Sequence, residues 1–185
     1  MGQSILFVTL LLFVANPSIE AQPDTLVATI NSFLIMNARR SDTLKLTELT
    51  YATVTSAFGP PTSERRLDGN GPTEEVWDGI CYGTSCINIS NGSELSWIEI
   101  NSSDLLLLAY GAFEIEVGGT IDSLKQVFPH AFGNAYSTPA ETTDRHAMVP
   151  MIQVEDGVYE VTDHAVYISF DPATELITAI GVHMN

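Results

Sequence analysis

The chain has 185 residues, with 7 Lys and Arg against 23 Asp and Glu, so its formal net charge is -16 although only 16% of it is charged. So few bases cannot neutralise many phosphates, which excludes nucleic-acid binding and adhesion to anionic lipid. A hydrophobic share of 45% is enough for a real core and excludes a disordered acidic tail.

Met1-Gly2-Gln3-Ser4 leads into an apolar run from Ile5 to Ala15. That run is shorter than the roughly 20 residues that span a bilayer, so no stable membrane insertion is expected. Asn16-Pro17 and Ser18-Ile19-Glu20-Ala21 follow, with Ile19 and Ala21 suited to the small-pocket positions of a signal-peptidase site. Residues 1–21 therefore read as a secretion signal whose only positive charge is the α-amino group, and the mature protein is expected to be periplasmic or secreted. After Pro23-Asp24, Leu26, Ile30, Phe33 and Leu34 have helical spacing, while Phe33 to Met36 also fits a strand, and the strand is preferred.

Leu49, Val54, Ala57 and Phe58 predict a helix over 48–58, with Thr47 as N-cap and Gly59-Pro60-Pro61 as its stop. Strands are predicted at 74–82, 86–90 and 94–101. Cys81 and Cys86, the only cysteines, flank Tyr82-Gly83-Thr84-Ser85 and read as a disulfide stapling a hairpin. Phe113-Glu114-Ile115-Glu116-Val117 alternates as a strand. Ile121, Leu124, Val127 and Phe128 then predict a second helix, with Thr120 as N-cap and Pro129 as terminator. Gly133 to Met148 is expected to be a mobile loop, followed by strands at 148–154, 158–162, 165–170 and 175–183.

The segments Ile87 to Leu95 and Ile168 to Leu176 share one pattern at an offset of 81 residues: an alternating strand, a turn, a hydroxyl residue, then Glu-Leu. Duplication explains this pattern. The expected fold class is α+β, with two tandem units, each a helix packed on a small antiparallel sheet, occupying residues 22–110 and 111–185.

The helix ending in Phe58-Gly59-Pro60-Pro61 after Leu49-Thr50 and Val54, then three strands, resembles the unit of SmpA/OmlA-type small envelope proteins. In tandem it resembles the β-lactamase-inhibitory-protein-like fold, across most of residues 43–183. The chain departs from the envelope lipoproteins in having no lipobox Cys, and Phe128-Pro129 stands where a second Gly-Pro form would be. The resemblance implies a binding role, with two small sheets aligned into a curved surface that docks on another protein, and it carries over no catalytic residue.

No Gly-x-Ser-x-Gly elbow and no phosphate-cradling glycine loop is present, so no catalytic residue and no cofactor is assigned. Asp68-Gly69-Asn70-Gly71-Pro72-Thr73-Glu74 starts like a calcium loop, but Pro72 occupies a ligand position, and it reads as a solvated turn. His164 and His183 with Asp163 are the nearest approach to a metal set, and no metal is assigned.

Trp77 is out of phase with Val76 and Ile80, and Trp97 with Ile98 and Ile100. If the isoleucines meet the helices, both indoles lie on an open sheet face as interface anchors, and Glu75, Asp78 and Glu99 beside them favour a basic partner. The expected function is thus non-catalytic recognition of a protein or peptide through Trp77, Trp97, Glu75, Asp78 and Glu99. The alternative is a small extracytoplasmic enzyme or ligand carrier with its site near the 133–148 loop, lined by His146 or His164. Asn88, Asn91 and Asn101 each begin an Asn-x-Ser sequence, an acceptor for glycan in one secretory route and an ordinary residue in another.

Overall fold

A computed structural model of the chain describes residues 28–39, 42–68, 76–91, 93–137, 143–155 and 158–184, with 67, 68, 76, 77, 153–155, 158, 159 and 161 described in backbone only. The leader-like segment 1–21, most of the calcium-like loop and the centre of the 133–148 segment lie outside the described residues.

The elements run β1 (Phe33–Asn37), β2 (Thr43–Lys45), α1 (Tyr51–Phe58), β3 (Ser63–Asp68), β4 (Val76–Tyr82), β5 (Ser85–Ser90), β6 (Glu94–Ile100), β7 (Leu105–Ala109) and β8 (Phe113–Ile115). They continue with α2 (Asp122–Val127), α3 (Pro129–Gly133), β9 (Arg145–Glu155), β10 (Val158–Phe170) and β11 (Ile177–His183). Two antiparallel sheets result, in the orders β2-β1-β7-β8 and β3-β4-β5-β6-β11-β10-β9.

This overturns the expected pair of helix-on-sheet units. Among the described residues strand dominates, at 51% against 19% helix, and strands from before and after residue 110 share both sheets through the β7–β8 and β6–β11 pairs. The helices are too short, at 8, 6 and 5 residues, to cover a seven-stranded sheet. The four-stranded sheet contributes instead: Phe33, Ile35, Leu105, Leu107 and Ile115 join Ile80, Ile87, Ile98, Ile100, Val166 and Val182 of the large sheet in one buried cluster. Val54, Phe58, Leu124, Val127 and Phe128 add the helical share. Each such side chain contributes about 1.5 to 3 kcal/mol when fully buried, so this shared interior binds the halves together.

Both sheet orders are symmetric in chain position, β2 and β8 flanking the β1–β7 pair, and β5 and β10 flanking β6–β11. The 81-residue offset relates the β5–β6 turn to the β10–β11 turn, at matching places in that order. The division at 110/111 falls inside the β7–β8 turn, where Tyr110 (φ 53) and Gly111 (φ 67) are both left-handed and Ala112 N–H donates to the Ala109 carbonyl at 3.1 Å.

Local signals fixed the helix ends, with shifts. The cap of α1 is Thr50, not Thr47. Its hydroxyl accepts from the Thr53 N–H at 3.1 Å while the Thr53 hydroxyl accepts from the Thr50 N–H at 2.9 Å, a reciprocal cap that a Thr three residues on completes. Residues Leu46–Glu48 form a separate 3-10 turn. Gly59, at φ 80, and Pro60 end the helix. Ile121 rather than Thr120 precedes α2, because Thr120 bridges to Leu176. Pro129 ends α2 and opens α3, since a first-turn residue needs no N–H.

Cys81 and Cys86 are register partners across β4 and β5 and are disulfide-bonded, with Gly83-Thr84 as the turn between the strands. Among the described residues no helix is long and apolar enough to cross a membrane.

The large sheet ends in β3 and β9. Strand β3 carries Glu64, Arg65 and Arg66. On β9 the backbone N–H of His146 and Ile152 points outward, to Tyr136 and Ala28, so Pro150 in the same phase sets its missing N–H on the open edge.

The β10–β11 turn is built on Asp171, whose carboxylate accepts from the Ala173 N–H at 2.7 Å and the Thr174 hydroxyl at 3.0 Å. These bonds, the backbone one foremost, hold Asp171 below the ordinary aspartate range. A depressed folded value means that the stabilisation is present above the ordinary aspartate pKa and is lost as the pH falls through the folded one. Thr174→Val should move the Asp171 carboxyl titration, followed by NMR, back upward, and an unchanged midpoint would refute the assignment.

Candidate functional site: the outer face of the large sheet

Alternation sorts the two faces of the large sheet. Ile87, Ile98, Val166 and Val182 are fully buried in the core, which sends Asn88, Trp97, Tyr167 and His183 to the other side. Arg65, Gly79, Asn88, Trp97 and His183 stand opposite one another across β3, β4, β5, β6 and β11.

Gly79 makes this row possible. A Cβ there would lie 2.5 Å from Arg65 Cγ and 3.0 Å from Asn88 Oδ1, so the Arg65 side chain crosses β4 only because the position has none. Arg65 Nη2 donates to Asn88 Oδ1 at 3.2 Å and to Glu99 Oε2 at 3.0 Å. The other Glu99 oxygen, Oε1, accepts the Trp97 indole N–H at 2.9 Å. Asn88 is 0% exposed, and its Nδ2 donates to the Trp97 carbonyl at 3.4 Å. The half-buried indole is thereby held in one orientation.

From Trp97 the row continues across the other half of the sheet. The His183 ring packs edge-on to Tyr167 with centroids 5.2 Å apart, and Tyr167 stands opposite Met148. Met148 is 44% exposed and Tyr136, whose ring lies 5.6 Å from His146, is 46% exposed. Trp97, His183, Tyr167, Met148 and Tyr136 form a ribbon of aromatic and thioether side chains on this face.

Of the expected residues, Trp97 and Glu99 come together here. Glu99 is already occupied by Arg65 and the indole, so it is a positioning group rather than a free negative charge. Asp78 leaves the set: it shares the phase of buried Ile80 and lines a cleft of about 280 Å³ on the opposite side with Tyr51, Glu64, Arg65, Arg66 and Gly79. The Tyr51 phenol donates to Glu64 at 2.5 Å, and that bond raises its pKa, with Asp78 adding a smaller repulsion. Glu75 lies outside the described residues, as does the Trp77 side chain; the Trp77 backbone pairs with Leu67 and Ser90.

A second cleft, of about 200 Å³, is lined by Asn37, Arg39, Phe58, Pro60, Thr62, Tyr82 and Asp104, far in sequence from the 133–148 segment. In that segment His146 Nδ1 lies 2.8 Å from Ser169 Oγ, within reach for a nucleophile and base, but its buried Nε2 has no partner among the described residues to orient the ring. Among the described residues no three His, Cys, Asp or Glu side chains gather as a metal site.

Sequence reasoning passed over Arg65, Tyr167 and Met148, and it read Asn88 as a glycan acceptor and His183 beside a metal set rather than as members of this face. The alternation in β10 and β11 carried the signal for Tyr167 and His183, whereas Arg65 needed knowledge of the β3–β4 register. No protein-family model, curated protein or solved structure matches the chain.

Proposed function

We propose that this is an exported, non-catalytic binding protein that recognises a basic protein or peptide through the outer face of its large sheet. The observation that carries the reading is the Trp97, His183, Tyr167 and Met148 ribbon, whose first member is fixed by Glu99 and Arg65. Pre-oriented, half-buried aromatics make strong anchors because little side-chain entropy is left to lose on binding.

The basic character of the partner follows from the whole molecule, 23 acids against 7 bases, and not from Glu99. Export is supported by the leader-like start and by a disulfide, which persists in oxidising compartments. The resemblance to SmpA/OmlA-type and β-lactamase-inhibitory-protein-like proteins enters this reading through its binding role alone.

Affinity capture from the envelope or secreted fraction of the source cells tests it, comparing the wild-type chain with a Trp97→Ala/Tyr167→Ala variant. A partner held by the first should bind the second about 10- to 100-fold more weakly, the loss typical of removing anchor aromatics. A partner retained equally by both would move the site off this face.

A further inference from the structure

We propose that, in an N-glycosylating secretory route, this chain carries N-linked glycans at Asn91 and Asn101 and none at Asn88. The inference rests on the export reading above. It concerns three acceptor sequences, Asn88-Ile89-Ser90, Asn91-Gly92-Ser93 and Asn101-Ser102-Ser103, which are equivalent as motifs. The fold makes them unequal.

Asn91 is exposed in the β5–β6 turn at φ 48, and among the described residues its Nδ2 bonds to the neighbouring Ser90 hydroxyl, at 3.3 Å. Asn101 is exposed just past β6, its Nδ2 making one long bond of 3.4 Å to the Thr84 carbonyl. A glycosylated amide keeps one N–H, so either bond survives modification. Asn88 is the reverse case, wholly buried, with Oδ1 taken by Arg65 and Nδ2 by the Trp97 carbonyl. Its neighbour Gly79 has no room even for a methyl group, so a sugar there would displace Arg65 and open the β4–β5–β6 face.

In the transfer, the Asn amide nitrogen bonds to the anomeric carbon of a lipid diphosphate-linked oligosaccharide. The carbon–oxygen bond to phosphate breaks, the lipid diphosphate leaves with the electron pair, and one amide proton is released. Transfer meets the chain before folding, so a molecule modified at Asn88 could not form its native sheet and would be missing from the secreted, folded fraction. The two permitted glycans lie beyond opposite ends of β6, the strand of Trp97.

The full chain with its own leader, produced in cultured insect cells, gives the test. The secreted protein should lose mass with peptide-N-glycosidase, and peptide mass spectrometry should find Asn91 and Asn101 converted to Asp with Asn88 intact. Asn91→Gln and Asn101→Gln, both at exposed positions, should each remove one glycan. Secreted protein without glycan, or with conversion at Asn88, overturns the assignment. Retention of the unmodified chain inside the cell overturns the export reading, and the proposal with it.

Discussion

Phe128→Ala should lower the free energy of unfolding by about 4 kcal/mol, within the 3 to 5 typical of emptying a buried Phe site. Phe128 is fully buried, its ring stacks on Tyr110 with centroids 6.3 Å apart, and its backbone links α2 to α3. The N–H of Phe128 donates to the Leu124 carbonyl at 2.7 Å and its own carbonyl accepts from the Phe132 N–H at 3.2 Å, so the corner is pinned on both sides and cannot collapse into the void. Phe128→Leu keeps most of the volume and should cost about 1 to 1.5 kcal/mol. Urea unfolding of the oxidised protein reads both values. An alanine variant less than about 1 kcal/mol weaker than wild type would mean that this corner is not part of the common core.

Gly83→Ala should be almost as damaging, at about 3 kcal/mol, from two sources. Gly83 sits at φ 61, which an L side chain enters at a cost of about 1 to 2 kcal/mol. A Cβ would also lie 2.0 Å from Asp104 Oδ2, and that carboxylate is tied to Arg39 at 2.7 Å and to the Ser102 hydroxyl at 3.1 Å. Moving it breaks those bonds. Asp104→Ala in the Gly83→Ala background should therefore recover about 1 to 2 kcal/mol, because only the steric part is relieved. Additive losses in the cycle would show that the overlap is not the cause.

Much of the strand pattern was legible, and the way the strands assemble was not. β6 and β11 announced themselves by alternation because one of their faces is dry and the other is not, while β5 alternates in polarity although both of its faces are buried, its Asn88 satisfied by Arg65 and the Trp97 carbonyl. Leu105 to Leu108 is apolar at every position, since this strand is covered on both faces, and so it has no period to detect. Ser63 to Asp68 looks like a solvated linker because an edge strand is charged for its own protection. The β1–β7 and β6–β11 pairings join residues distant in the chain, and no local signal encodes them; without β6–β11, which crosses the 110/111 division, two separate units were the natural reading.

The candidate site followed the same rule. The isoleucine phase put Trp97 and Glu99 opposite Ile98 and Ile100, on the outer side of the sheet, where the structure has them. Asp78 was grouped with Trp77 by adjacency, although successive residues of a strand point to opposite sides. Arg65 and Asn88 matter through a glycine whose value is the space it leaves, and composition is silent about space.

Pro150 on β9 and the charges of β3 bear on the molecule's behaviour at high concentration. A neighbouring copy laid alongside β9 would find a missing donor in mid-strand, and one laid along β3 would have to bury ionised groups. Main-chain zippering onto either margin of the seven-stranded sheet is thereby opposed, so that sheet is ill suited to grow from copy to copy into a fibril.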